Sequence, residues 1–599
     1  MYTSIFDNIR LSLHLSQQQK MKIKLILIIM LAFVIKLNGQ APSWAWAKSG
    51  VGGGEDWGKS IVVDAIGNSY VTGCFLSTSI TLGSFILSNA GGGQSDIFIA
   101  KYDPSGNVIW AKKAGGIDPD IAKSIAIDNN GNIFVSGYFA SSTITFGTTT
   151  LTNVTNSIPF NTADIFVTKL DQYGNFIWAN SAGGIGSDFA LDVATDINGN
   201  CYLTGWYSDS ISFDSFTFTK LAGLYIVKYD VSGNVVWAKE ESGNMNSDWP
   251  GSITVDQNGS FYLTGFFQSD TINFGNYTLV NSGSWIYHKD FFVVKYNNNG
   301  NVMWAKSAMS WGNEEGIRVK VDNNGNVYVT GILNTDSMTF GNTIIANPNG
   351  SGGSDFFIAK YDSSGIEQWA MGCGGIRWDK SKDIAIDALG NIYLTGNFES
   401  PSITFGNITL INTSPPGYAN IFVVKLDPSG NSVWAIKGEG SGYQNGGGLS
   451  LDQSGNVYIS GDFGGSTLNL GNLTLLNSGS YGDFFIAKLD ATVGIPEQLN
   501  FYNGISISPN PTSSTFTLTT NTPLSNPQII IYNTLGEIVY SEKTNTTSNT
   551  FSKQLNLNTP SGVYIIKLTN NPLFVSTFAA TFASTTLALV QIMISAQFS

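Results

Sequence analysis

The chain has 599 residues, of which 67 are Gly, with only 12% charged residues and a formal net charge of −13. That composition excludes a helical bundle, and an acidic balance without basic clusters excludes nucleic acid as a partner. Polar residues are mostly Ser, Thr and Asn, which suit turns and strand surfaces, so the expected class is all-β.

At the N-terminus, Lys22 and Lys24 precede the apolar run Leu25 to Ile35, and "KLNGQAPS" follows with small residues. This is the pattern of an export signal, and the run is too short to span a bilayer. Residues 1–20 are polar, so Met21 is the expected start and 1–40 the expected extension and signal. Cleavage near Gln40 removes Arg10, Lys20, Lys22, Lys24, Lys36 and one acid, Asp7, which takes the net charge from −13 to −17.

The next stretch, "SWAWAKSG" from Ser43 to Gly50, is the end of a phrase that later appears whole, as in "DIFIAKYDPSGNVIWAKKAGG" from Asp96 to Gly116. A second phrase, "IDNNGNIFVSGYF" from Ile127, recurs with leading acids Asp64, Asp128, Asp196, Asp256, Asp322, Asp387 and Asp452, spaced 60 to 68 residues apart. In both phrases, alternating β-branched and aromatic residues flank an Asp-x-x-Gly segment, where Asp can cap a turn and Gly can take positive φ. Two hairpins give the four strands of a propeller blade. A third element, such as "STITFGTTTLTN", lengthens each unit and is expected to form a small extra hairpin.

Residues 41–493 are therefore expected to build a seven-bladed β-propeller. Trp110, Trp178, Trp237, Trp304, Trp369 and Trp434 close the second hairpin as Trp-Ala pairs, whereas the last unit stops at "DFFIAKLDATVG" without one. Trp46-Ala47 supplies the missing pair, which predicts that an N-terminal strand completes the last blade and covers its open edge. The phrases "D-x-x-G-N-[IV]-Y-[VL]-T-G" and "F-[IV]-[AV]-K-[YL]-D-x-x-G-N-x-x-W-A" resemble the SBBP β-propeller repeats over roughly residues 43 to 490. The resemblance implies the fold and little about activity, because propellers host many functions.

After a linker at 494–504 the pattern changes to "GISISPNPTSSTFTLTT", "QIIIYNTLGEIVYSE" and "LNLNTPSGVYIIKLTN", alternating strands broken by Pro and Gly. Residues 505–570 are expected to form a small Ig-like β-sandwich. Through "SPNP", "Y-N-x-x-G" and "L-x-x-G-x-Y" they resemble the C-terminal sorting domain of the type IX secretion system of Bacteroidetes. That resemblance implies contact with the secretion machinery, delivery across the outer membrane, and release or attachment at its surface. The tail 571–599 carries no charge. It reads either as a membrane-inserting segment or as the product of a shifted frame, and its Ser/Thr content favours the second.

Inventory limits the chemistry. Cys74, Cys201 and Cys373 are scattered and odd in number, a poor disulfide framework, and only His288 remains once the signal is removed. A His-rich metal site, and a Ser/His/Asp site on any histidine other than His288, are excluded. Eight residues before each leading acid stand Asp56, Asp120, Asp188, Asp248, Glu314, Asp379 and, last, Gln444. Such a ring of carboxylates either clamps neighbouring blades or binds a cation, with Ca²⁺ the candidate; sevenfold regularity favours the clamp.

Beside the ring stand Trp57, Phe189, Trp249, Trp311, Trp378 and Tyr443, placed irregularly. Packing demands recur in every blade whereas a binding surface need not, so these aromatics are the candidate contacts for sugar or peptide, with inter-blade packing the alternative for any one of them. The leading expectation is an exported binding or adhesion module for a glycan or protein, at the cell surface or secreted. The rivals are a polysaccharide lyase or hydrolase using channel carboxylates, and a purely structural surface protein. Catalysis ranks below binding because a catalytic pair should be singular.

Overall fold

The local chemistry of the repeat is that of its turns. Asp64 Oδ1 accepts hydrogen bonds from the backbone N–H groups of Ile66 and Asn68, at 3.1 and 2.9 Å, and its Oδ2 accepts from the Asn68 amide at 2.7 Å. Gly67 closes the turn at φ +87°, a region that costs a residue with Cβ. The same three bonds recur at Asp128, Asp196, Asp322, Asp387 and Asp452.

In the computed structural model, residues 42–490 are described apart from 92, 155–161, 244–247, 284–287, 348–352, 478 and 480, and the C-terminal part is described as the strands lying between 505 and 582. The expected signal at 1–40 and the linker at 494–504 lie outside the described residues. Two compact units divide at Thr492.

The first unit is a seven-bladed propeller of antiparallel sheets. Its innermost strands are Asp56–Val63, Asp120–Ile127, Asp188–Thr195, Trp249–Val255, Glu315–Val321, Asp379–Ile386 and Gln444–Leu451, which open blades one to seven. Each packs on the next, and the last packs on the first. Together they line a central channel of about 350 Å³. Every innermost strand carries a bulge near its middle, as between Gly58 and Ser60 or Gly316 and Arg318, which adds local twist. The extra element of each unit is a short hairpin, as at Ser79–Leu82 with Phe85–Ser88. In blades three and six the outer strand also pairs with the next unit's extra hairpin.

Neighbouring blades are joined by the repeated Trp. The indole Nε1 of Trp110 donates to the Gln172 carbonyl of the next blade at 3.2 Å, and Trp178, Trp304 and Trp369 donate to Val231, Ser363 and Pro428 in the same way. Each of these rings lies against the turn glycine of that neighbour, Gly174, Gly233, Gly365 or Gly430, where a Cβ would meet the indole or its flanking side chain at 2.9 Å or less. The Lys two residues before the turn Asp reaches the same carbonyl, as Lys101 does on Gln172 at 3.1 Å.

Trp44–Ser49 forms the fourth strand of blade seven, antiparallel to Asp483–Leu489, with Trp46 opposite Lys488 and Ala47 opposite Ala487. Trp46 Nε1 donates to the Pro104 carbonyl of blade one at 3.0 Å, and Gly106 lies under its ring. Trp44, which falls outside the repeated register, packs into the apolar core of blade seven beside Gly471.

In the second unit a three-stranded sheet holds Ile505–Ser508, Thr515–Thr520 and Phe551–Asn556, and a four-stranded sheet holds Gln528–Tyr532, Ile538–Lys543, Gly562–Asn570 and Phe574–Phe582. Both bury alternate residues, Phe516 and Leu518 in one and Ile529 and Ile531 in the other. The last of these strands runs antiparallel to Gly562–Asn570 from Phe574 opposite Asn570 to Phe582 opposite Gly562, so the start of the uncharged tail pairs into this unit. No helix among the described residues is long and apolar enough to cross a membrane.

Deleting residues 43–50 removes a paired strand and exposes the Asp483–Leu489 edge. The expected outcome is concentration-dependent self-association in size-exclusion chromatography with light scattering. A stable, soluble monomer of the deletion variant would show that blade seven does not need this strand.

Candidate functional site

The ring of acids lies at the start of the innermost strands, fully buried, and all but Asp188 are held by side-chain hydrogen bonds within their own blades. Asp56 accepts from the Ser77 hydroxyl at 2.7 Å, Asp120 from Ser141 at 2.8 Å, Asp248 from Ser269 at 2.7 Å and Asp379 from Ser400 at 2.7 Å, and each also accepts from a backbone N–H. Glu314 accepts from the Ser310 hydroxyl. Gln444, the amide of the series, donates its Nε2 to the Gly442 carbonyl at 2.6 Å. The carboxylates are thus distributed among blade interfaces. Among the described residues no three His, Cys, Asp or Glu side chains converge to hold a metal, so the Ca²⁺ expectation for Asp56, Asp120, Asp188, Asp248, Glu314 and Asp379 finds no clustered ligand set.

A second series of acids, at the start of the third strands, faces the first across each interface. The backbone N–H of Asp120 donates to the Ser95 carbonyl beside Asp96, and Asp188, Glu314 and Asp379 make the same bond beside Asp164, Asp290 and Asp355. Burial, then the neighbouring Asp164, pushes the Asp188 carboxyl up to about 9. Burial likewise raises Asp56 and Asp120 to about 7 and Glu314 to about 8, with a smaller contribution from the facing Asp483, Asp96 and Asp290. Asn420 and Gln444 take the two places between blades six and seven, and Gly223 stands in the third-strand place in blade three.

Just inside this ring the innermost strands open into the channel, and here the blades stop being alike. The residue after each ring acid lies opposite the residue after the Gly of the second strand: Trp57 with Cys74, Phe189 with Trp206, Trp249 with Phe266, Lys380 with Asn397, and Asn445 with Asp462. Trp206 and Trp249 stack at 4.5 Å between centroids and 7°, Phe189 lies nearly parallel to both, and Tyr138 meets Phe189 edge-on at 4.7 Å. These four rings are half-buried and form a continuous apolar wall across blades two, three and four.

The adjoining arc is cationic. Lys59, Lys123 and Lys382 occupy the bulge position of blades one, two and six, where the strand register shifts. Lys59 lies 4.8 Å over the Trp57 ring and Lys123 5.4 Å over Tyr138. Burial, then the charges of Lys59 and Arg318, lowers Lys123; burial, then Lys380, Lys59 and Arg318, lowers Lys382. Charges from blades one, two, five and six therefore sense one another across the channel. Deeper in, Arg318 Nε sits 3.4 Å from Asp383, and Asp192 accepts from Ser124 at 2.6 Å and from the Ile253 N–H at 2.9 Å.

The aromatics expected at the site separate into two sets. Trp57, Phe189 and Trp249 follow their ring acid and stand at the channel mouth. Trp311, Trp378 and Tyr443 precede theirs and project outward, 73%, 56% and 40% exposed. Tyr443 donates its hydroxyl to Glu399, and Lys380 lies 4.9 Å over the Trp378 ring. Sequence reasoning passed over Tyr138, Trp206, Lys59, Lys123 and Lys382. The sign was present: in "T-G-x-F" the position x reads Cys, Tyr, Trp, Phe, Ile, Asn and Asp through seven copies whose other positions barely change.

Residues 109–138 match the β-propeller repeat called SBBP, and residues 506–577 match the secretion system C-terminal sorting domain. The chain is 26% identical over 441 residues to the uncharacterized WD repeat-containing protein L264 of Acanthamoeba polyphaga mimivirus, covering 59% of this chain and 31% of that protein. It is 31% identical over 113 residues to the regulatory protein FlaEY of Caulobacter vibrioides, covering 19% of this chain and 12% of the other. The chain thus spans under a third of the length of these relatives.

Among solved structures, PorZ, a surface component of the type IX secretion system of Porphyromonas gingivalis, aligns over 88% of this chain and 81% of its own with TM-score 0.23 and 11% identity. The gluconolactonase XC5397 of Xanthomonas campestris aligns over 76% and 99% with TM-score 0.28 and 8% identity. The chain carries an SBBP repeat and a type IX sorting domain, which indicates export to the cell surface or extracellular space and interaction with the secretion machinery.

The buried acids set a pH dependence. Their folded pKa values, raised above the unfolded carboxyl range of about 4, mean that the folded state holds protons the unfolded state has released. Stability is then expected to fall as pH rises from about 5 to about 8. Melting temperature by differential scanning fluorimetry checks the sign, and Asp188→Asn should flatten the dependence. A melting temperature that climbs over this range contradicts the assignment.

Proposed function

We propose that the protein is an exported binding module, displayed at the cell surface or released, that takes a glycan or protein ligand at the channel mouth. One observation carries the reading: beside the regularly placed aromatics of the repeat, Phe189, Trp206 and Trp249 form a half-buried stack at one sector of the ring. A flat aromatic surface of this kind binds the apolar face of a sugar ring or an aromatic or aliphatic side chain. Trp311 and Trp378 extend the contact surface onto the outer face. A catalytic reading has less support, since the ring acids are buried and mostly engaged by serine hydroxyls and backbone N–H groups.

The architecture serves this role in two further ways. Trp44–Ser49 acts as the latch that keeps the seven blades, and so the mouth, in one geometry. The second unit acts as a small Ig-like sandwich that delivers the propeller to the outside, as its sorting-domain match suggests.

Glycan and protein arrays probed with the full chain provide the test. A ligand is expected whose affinity drops at least about tenfold in Trp249→Ala, the loss typical of an aromatic hot spot, with the melting temperature of the variant close to that of the parent. Binding that survives both Trp249→Ala and Trp378→Ala would place the ligand elsewhere, and turnover of a bound polysaccharide would make the protein an enzyme.

A further inference from the structure

The proposed binding role leaves the ligand's charge open, and the cationic arc speaks to it. The whole chain has 43 acidic against 30 basic residues, a surface that repels anions at long range. At the channel mouth the balance reverses. Lys59, Lys123, Lys380 and Lys382 gather there; of the nearby acids Asp383 is paired with Arg318, and Asp462, which accepts from the Asn445 amide at 3.0 Å, is the one carboxylate that attracts both Lys59 and Lys382, so cations remain in excess. Glu55 lies exposed at the rim, and Glu315 is paired with Lys289.

Gathering like charges in a half-buried place costs stability, and no packing requirement demands it, because the same bulge position holds Leu191, Gly251 and Ile317 in blades three, four and five. Asn397, 4% exposed and next to Lys380 across the strand pair, has an Oδ1 with no hydrogen-bond partner among the described residues. The glycines Gly446, Gly447 and Gly448 of blade seven pack closely on blades six and one, where a Cβ would meet Thr395, the Gly58 carbonyl and the Ile61 N–H at 2.9 Å or less.

We propose that the mouth binds a saccharide chain bearing carboxylates, a uronate-type polyanion, with its ring faces on Phe189, Trp206 and Trp249 and its carboxylates on Lys59, Lys123 and Lys382. The aromatic wall alone would suit a neutral sugar. The adjoining lysine arc supplies what a neutral sugar does not need: several partly buried cations around one opening, where charge is weakly screened. This inference rests on the binding role proposed above.

The test uses the full chain and two series of oligosaccharides, hexagalacturonate and other carboxylated oligomers in one, and their methyl esters in the other. Calorimetry is expected to show binding of the acids at least about tenfold tighter than of the esters, weakening as salt is raised. Lys382→Ala should remove most of that preference, Lys382→Arg should restore it, and Trp249→Ala should weaken both series alike. Equal affinity for acids and esters, with Lys382→Ala silent, overturns the anionic ligand while the binding role stands. A protein ligand that needs Trp249, with no saccharide bound, does the same. Absence of any ligand that depends on Trp249 overturns both.

Discussion

The propeller depends on a contact between a ring and a turn. Trp46, Trp110, Trp178, Trp304 and Trp369 each lie on the turn glycine of the next blade and donate the indole N–H to a carbonyl of that same turn. The glycine is therefore required twice, once for positive φ and once because a Cβ would enter the indole. This couples a local feature, the Asp-x-x-Gly hairpin, to a neighbour about one repeat away in sequence. Blade packing, the channel and the spacing of the mouth residues all follow from repeating that contact around a circle.

A second consequence of repetition is the division of labour between regular and irregular positions. The regular positions are mostly buried and mostly engaged with one another: Trp on turn, Asp on Ser, Lys on carbonyl and aromatic ring. They leave little chemistry for a ligand. Variation falls at positions outside the repeated Trp-on-turn and acid-on-serine contacts, beside the ring acids. The ring thus behaves as a rigid frame carrying seven independently variable places around one opening.

Much of the fold was legible because its determinants are short-range. Asp64, Asn68 and Gly67 act within five residues, and their recurrence at Asp128 or Asp452 marks every hairpin without reference to tertiary structure. The site was less legible. Asp120 looked like one of six ring carboxylates, but its partners are Ser141 in its own blade and Asp96 across an interface, and no repeat alignment reveals that pairing. Trp249 was visible as an irregular aromatic, whereas Trp206, on which it stacks, sits inside a phrase whose regularity drew attention to its neighbours. Trp57 follows its ring acid and lies within the paired strand, whereas Trp378 precedes its own and lies before the strand begins, a distinction fixed by where strand pairing starts.

Blade seven draws its strands from both ends of the propeller sequence, Trp44–Ser49 beside Asp483–Leu489. Every other four-stranded sheet of the ring comes from consecutive residues and can form as soon as its segment has left the ribosome. Blade seven cannot, because its outer strand waits for a partner more than 400 residues downstream, a separation that makes this pairing the slowest loop to close. The channel is therefore complete only when the first and last strands of the propeller sequence have met.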